Sequence, residues 1–193
     1  MNWSFQLYSA RKFEPWSDVL AAVAQAGYTQ VEGFGALYDD PPGLRAALDR
    51  NGLSMPTGHF SLDVLEGDFA AARRIAGTLG IGTAICPFLT PDRRPDDEAG
   101  WRDFAARLSA VHENCRKAGL RFAWHNHDFE FAPARDGSLP MRTILDAAPG
   151  IGWEMDVAWI VRGGGDPLAW IEERAERIVA VHVKDIAPAG SAE

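Results

Sequence analysis

Two imidazoles and two carboxylates fall within the six residues His125–Glu130 of the stretch Trp124-His125-Asn126-His127-Asp128-Phe129-Glu130, just after Leu120–Ala123. Alternate residues of an extended strand share a face. His125 and His127 are therefore expected to point one way, and Trp124 and Asn126 the other. Paired histidines at a strand end suit divalent-metal binding or proton transfer. Two later segments end in related chemistry: Trp153-Glu154-Met155-Asp156 and Val179-Ala180-Val181-His182-Val183-Lys184-Asp185. By the same parity, Glu154 shares a face with Asp156 and His182 with Lys184. A carboxylate beside one or two imidazoles suits Mn²⁺, Co²⁺, Zn²⁺ or Fe²⁺ better than Mg²⁺ or Ca²⁺, which prefer oxygen ligands. The metal candidates are His125, His127, Asp156 and His182. A buried His–Asp hydrogen bond serving only the fold would account for any one pair. Three strands ending in the same chemistry favour the metal.

The elements that position these groups alternate regularly. Strand-like runs centre near Phe5, Val31, Met55, Ala84, Phe122, Trp153 and Val181. Helical patterns fill the gaps: Ser17–Ala26 with Ser17 as N-cap, Pro42–Asn51, Asp68–Leu79, Asp96–Ala118, Leu139–Ala147, and a last helix opening at Asp166-Pro167 and running to Arg177. Strand–helix alternation implies a parallel sheet. A doubly wound sheet usually carries a glycine-rich loop after its first strand, and Tyr8-Ser9-Ala10-Arg11-Lys12 has no glycine. A (β/α)8 TIM barrel collects its chemistry at the C-terminal ends of its strands. Here Glu32, His59, His125 with His127, Asp156, and His182 with Lys184 all lie at such ends. The expectation is one domain over residues 1–193, a barrel truncated after strand seven. Residues 187–193 are then a loop, and a helix–strand–helix portion is missing. Open edges would favour homo-oligomers.

Glu32, His59, Glu130 and Lys184 are the catalytic candidates. Each alone is weak, since a charge at a strand end is often only solvated. Trp159 and Arg162, beside Gly163-Gly164-Gly165, could grip a substrate carboxylate or phosphate; a flexible helix entry explains the same residues equally well. Asp39-Asp40 and Asp96-Asp97-Glu98 suit helix starts without any function.

Composition narrows the classes. The 193 residues are 47% hydrophobic and 24% charged, with net charge −8. Without a basic cluster, nucleic acid is not the expected partner. No apolar run approaches the ~20 residues of a membrane span, so no membrane partner is expected. Met1-Asn2-Trp3-Ser4-Phe5 does not read as a signal peptide. A cytoplasmic protein is the plain expectation. Cys86 and Cys115 form no C-x-x-C motif and suit reduced, buried thiols.

The chain resembles the sugar phosphate isomerase/epimerase family with the xylose-isomerase-like TIM barrel. The residues that carry the resemblance are Gln6-Leu7-Tyr8-Ser9, Gly27-Tyr28, Val31-Glu32-Gly33, Gly58-His59-Phe60, Trp124 through Phe131, Met155-Asp156-Val157, Trp159 through Gly164, and Val181 through Asp185. The resemblance implies a divalent metal, Mn, Co or Zn, held by groups from strands five to eight. Asp156 and His182 match the strand-six and strand-seven ligands. At strand five, where many relatives carry glutamate, His125 stands, with His127 and Glu130 nearby. The strand-eight glutamate has no counterpart. The implied substrate is a small sugar or polyol-derived molecule.

Isomerisation or epimerisation by proton transfer next to a carbonyl is the leading functional expectation. Dehydratase or lyase chemistry on a keto-sugar or inosose shares the same first step. The rivals are an incomplete, inactive barrel with a binding role and a metal-dependent abasic-site nuclease.

Overall fold

Every strand-like run of the sequence is a strand, and a short stop signal ends most helices between them. The computed structural model describes residues 3–185; the loop expected over 187–193 lies outside them. In chain order the elements are β1 (Ser4–Gln6), α1 (Trp16–Gln25), β2 (Gln30–Gly33), α2 (Pro41–Arg50), β3 (Ser54–His59), α3 (Leu62–Gly67), α4 (Phe69–Leu79), β4 (Thr83–Cys86), α5 (Glu98–Lys117), β5 (Arg121–His125), α6 (Pro140–Ala147), β6 (Gly152–Asp156), α7 (Val157–Arg162), α8 (Pro167–Arg174) and β7 (Ile178–His182). Strands β1 to β4 follow one another in chain order, and so do β5 to β7. This is the succession of a (β/α)8 barrel carried through its seventh strand.

The helix starts have visible chemical causes. Asp40, Asp68 and Asp166 each accept a backbone N–H at the head of α2, α4 and α8. Asp97 accepts from Gly100 N at 2.9 Å, so both acidic clusters serve helix starts. Gly80 ends α4 with φ +78°, a left-handed conformation that costs glycine little. Ser17 does not cap α1. That helix starts one residue earlier with Pro15 in the cap position, and the Ser17 hydroxyl donates to Asp18 instead. Two short helices, α3 and α7, were not expected. Ser61 and Asp156 cap them, and neither is long enough to show a helical period.

Contacts group the chain into two compact units, Met1–Cys86 with Cys115–Arg121, and Pro87–Asn114 with Phe122–Glu193. In the first, parallel register pairs Gln6 with Glu32, Glu32 with Thr57, Gly33 with Gly58 and His59 with Ile85. Leu20, Val31, Leu48, Leu53, Met55, Leu65, Leu79 and Ile85 form its buried apolar core. The Tyr38 hydroxyl lies over the Gly33–Gly58 pair. A Cβ at Gly33 would come within 2.7 Å of it and one at Gly58 within 2.5 Å. Both Cys86 and Cys115 are buried free thiols, and burial pushes Cys115 up to about 12.

In the second unit, β5 pairs with β6 and β6 with β7, all parallel, placing His125 opposite Glu154 and Asp156 opposite His182. Trp101 and Phe104 of α5 pack against each other, and Phe104 meets Trp124 edge-on. Trp101, Trp124 and Trp153 are all but fully buried, each contributing on the order of 3–5 kcal/mol of hydrophobic stabilisation before entropic costs. Arg177, just before β7, donates to the carbonyls of Leu145, Ala148 and Ile151. It thereby joins the end of α6 to the starts of β6 and β7.

Candidate metal centre

Strand parity in the second unit brings His125, Glu154 and His182 together. Each offers a ligand atom, and these atoms lie within 4.8 Å of one another. His125 Nδ1 is 3.1 Å from Glu154 Oε2, and His182 Nε2 is 3.4 Å from Glu154 Oε1. The two imidazole centroids are 4.7 Å apart. Glu154 is wholly buried and His125 nearly so. A carboxylate taken out of water needs a compensating cation or strong donors. Two imidazoles and one carboxylate converging on a buried spot are a donor set that fits a divalent transition metal.

Asp156 does different work. Its Oδ1 accepts from Trp159 N at 3.1 Å, capping α7. Its Oδ2 accepts from Lys184 Nζ at 3.1 Å and lies 3.6 Å from His182 Nδ1. Burial pushes this carboxyl up, but His182, the Lys184 charge and the Trp159 amide prevail and hold it below the usual range. Asp156 thus orients His182 from the nitrogen turned away from Glu154, the way outer carboxylates commonly hold metal-bound histidines. The sequence reading placed Asp156 among the ligands and left Glu154 out. The signal for Glu154 was present in its parity with Asp156.

His127 sits beside these groups in an aromatic surround. Its ring is 5.0 Å from that of His125, 5.1 Å from Trp159 and 5.1 Å from Phe88. Burial first, then the nearby His125, pushes it down to about 3, so it is neutral at physiological pH. Asn126, facing away from the histidines, accepts from Trp153 Nε1 at 2.8 Å and from Asp156 N at 3.0 Å. Glu130 is fully buried. It accepts from Trp124 Nε1 at 3.0 Å and from the backbone N–H of His127 at 2.8 Å, so it holds the end of β5 in place. Burial lifts its carboxyl to about 8 despite those donors.

Arg162 lies 3.6 Å from Asp128 and over the Trp159 ring, which Lys184 also approaches at 4.8 Å. Of the three glycines after Arg162, Gly163 and Gly165 serve close packing within the chain, and Gly164 takes a left-handed φ of +85°. A Cβ on Gly163 would fall 2.4 Å from the Asp128 carbonyl oxygen, and one on Gly165 would meet Ile160 at 2.8 Å.

The first unit holds the other two candidates. Glu32 accepts from Thr57 Oγ1 at 2.7 Å and from Gln6 at 3.3 Å, and His59 Nε2 is 3.1 Å from its Oε1. Both residues are buried. Burial and the Glu32 charge raise the Tyr38 hydroxyl well above its ordinary value.

Comparison with known proteins agrees with this architecture. The family model of the xylose isomerase-like TIM barrel matches residues 20–192. The chain is 24% identical over 190 residues to an inosose dehydratase of Geobacillus kaustophilus, covering 87% of this chain and 61% of that protein. It thus spans about three-fifths of that relative's length. A sugar phosphate isomerase/epimerase from Parabacteroides distasonis superposes with TM-score 0.83 at 23% identity, over 98% of this chain and 78% of its own. An IolI protein with a bound zinc atom superposes with TM-score 0.76 at 13% identity, over 94% and 72%. No helix of the described residues is long and apolar enough to cross a membrane.

Proposed function

The chain belongs to the xylose isomerase-like TIM barrel family, and from that premise we propose that it is a divalent-metal-dependent isomerase or epimerase. The substrate is a small sugar or polyol-derived ketone, and the chemistry is proton transfer next to its carbonyl. The observation that carries this reading is the convergence of His125, Glu154 and His182 from three successive strands. These residues would hold Mn²⁺, Co²⁺ or Zn²⁺. A bound metal would polarise the carbonyl and stabilise the developing enediolate charge. Asp156 keeps His182 oriented, and Lys184, held at 3.1 Å by Asp156, supplies an ammonium able to donate a proton to a substrate oxygen. The Trp159 and His127 rings lie against each other beside them, with centroids 5.1 Å apart. In the first unit, Glu32 and His59 offer a carboxylate and an imidazole in contact, the composition of an acid–base pair.

A second reading is dehydration of a keto-polyol, favoured by the likeness to an inosose dehydratase. It begins with the same proton removal and differs in expelling a β-hydroxyl. Proton NMR in D₂O with Mn²⁺-loaded protein, offered keto-sugars and an inosose, tests both. Metal-dependent exchange of the proton next to the carbonyl is the expected result. Exchange with retained hydroxyls supports the isomerase or epimerase; loss of water supports the dehydratase. Absence of exchange across the panel, with metal bound, would overturn both.

A further inference from the structure

Arg94, in the segment between β4 and α5, is held on two sides and left open on a third. Its Nε donates to the Leu89 carbonyl at 3.0 Å. Its guanidinium lies 3.6 Å from the Phe129 ring centroid and 5.2 Å from that of Phe88. Among the described residues, Nη1 and Nη2 have no hydrogen-bond partner, and no carboxylate is within ion-pair distance. Lys184 and Arg162, by contrast, are matched by Asp156 and Asp128. The rings that flank Arg94 lead directly to the candidate centre: Phe88 meets His127 edge-on at 5.1 Å, Phe129 lies parallel to it at 6.1 Å, and His127 adjoins His125.

We propose that Arg94 anchors an anionic group, carboxylate or phosphate, on the substrate, and that the substrate is therefore an acidic sugar or polyol derivative. The inference rests on the assignment of the neighbouring centre as the reaction site. A planar guanidinium presents paired N–H donors that match two oxygens of either group. Fixing the Nε edge and one face in advance removes most of the side-chain ordering that binding would otherwise cost. A guanidinium needed only to tie down its loop would not require the η nitrogens open beside an aromatic wall.

The test is calorimetric titration of metal-loaded protein with two matched pairs: D-gluconate against D-glucitol, and D-glucose 6-phosphate against D-glucose. The wild type is expected to prefer the anionic member of at least one pair, and the tighter pair names the group. Arg94→Gln should weaken that anion by roughly ten- to a hundredfold and leave the neutral partner unchanged, at unchanged metal content. Arg94→Lys keeps the charge without the fork, should fall between them, and stands in where Arg94→Gln does not fold. No anion preference in the wild type, or the same preference in both variants, would overturn the proposal. Proton exchange separates this from the reaction: exchange on neutral ketones without anion preference removes the anchor alone, whereas anion preference without exchange removes the reaction alone.

Discussion

Asn126 holds the backbone of Asp156 from both sides: its Nδ2 donates to the Asp156 carbonyl at 3.2 Å, and its Oδ1 accepts from the Asp156 amide at 3.0 Å. The same Oδ1 takes the Trp153 indole N–H. One fully buried amide therefore satisfies three polar groups of β6, the strand that carries Glu154 and Asp156. This fixes the end of β6 against that of β5.

Asn126→Ala leaves those three groups unsatisfied in a dry interior. The expected cost is about 3 kcal/mol or more of stability, read as a lower midpoint in urea. Asn126→Asp keeps the acceptors but loses the donor and buries a charge near Asp156, and should be worse. An Asn126→Ala variant as stable as the wild type would show that these bonds contribute little.

Glu154 and Asp156 should separate in metal binding. Glu154→Gln removes a converging ligand and should abolish stoichiometric metal. Asp156→Asn should retain metal and weaken it by roughly 10- to 100-fold, because it loosens only the orientation of His182. Elemental analysis and competition with a chelator decide. Equal losses in the two variants would make Asp156 a ligand in its own right.

Much of this was legible because parallel strand–helix units impose their period on the sequence. The seven strand centres, from Phe5 to Val181, and the second-unit ends carrying His125, Asp156 and His182 follow from that period and from strand parity. The division of labour between Glu154 and Asp156 was not legible. Both share a face, and which carboxylate meets the imidazoles depends on where the strand ends and α7 begins. Asp156 is drawn to the cap, a role set by a helix too short to show a period. Glu130 read as a catalytic candidate or a solvated charge because nothing local marks a carboxylate that turns back to bond the Trp124 indole. Arg94 was missed because its setting is built by Phe88 and Phe129, distant from each other in sequence.

Glu130 should make stability depend on pH. Its folded value of about 8 lies above its ordinary 4.5, with burial as the main cause. The folded state therefore favours the protonated form. This contribution is fully present below about pH 4.5 and is lost as pH rises toward and through about 8. Melting temperatures across pH 5–9 should fall with rising pH on this account, and the fall should be smaller in Glu130→Gln, which cannot ionise. Parallel profiles for the two proteins would mean that Glu130 does not titrate in that window.

Gly163 tests the packing of the loop that carries Glu130. Its backbone, φ −77° and ψ 0°, is one that alanine adopts freely. Without a steric conflict, Gly163→Ala would therefore stabilise the fold by about 0.4–1 kcal/mol through the unfolded chain. Its Cβ, however, would stand 2.4 Å from the Asp128 carbonyl oxygen and 2.8 Å from Phe131 Cβ. Neither is the mobile end of a side chain, so the 128–131 segment or the end of α7 must shift. Overpacking of this kind costs about 1–3 kcal/mol and should outweigh the entropic gain. Gly35 is the control, since a Cβ there meets nothing within 4 Å, and Gly35→Ala should be neutral or slightly stabilising. Urea denaturation of the two variants gives the comparison. A Gly163→Ala protein with an unchanged or raised midpoint would show that the segment yields freely; a lowered midpoint with weakened metal binding would show that the α7 terminus and the candidate centre are held by the same contacts.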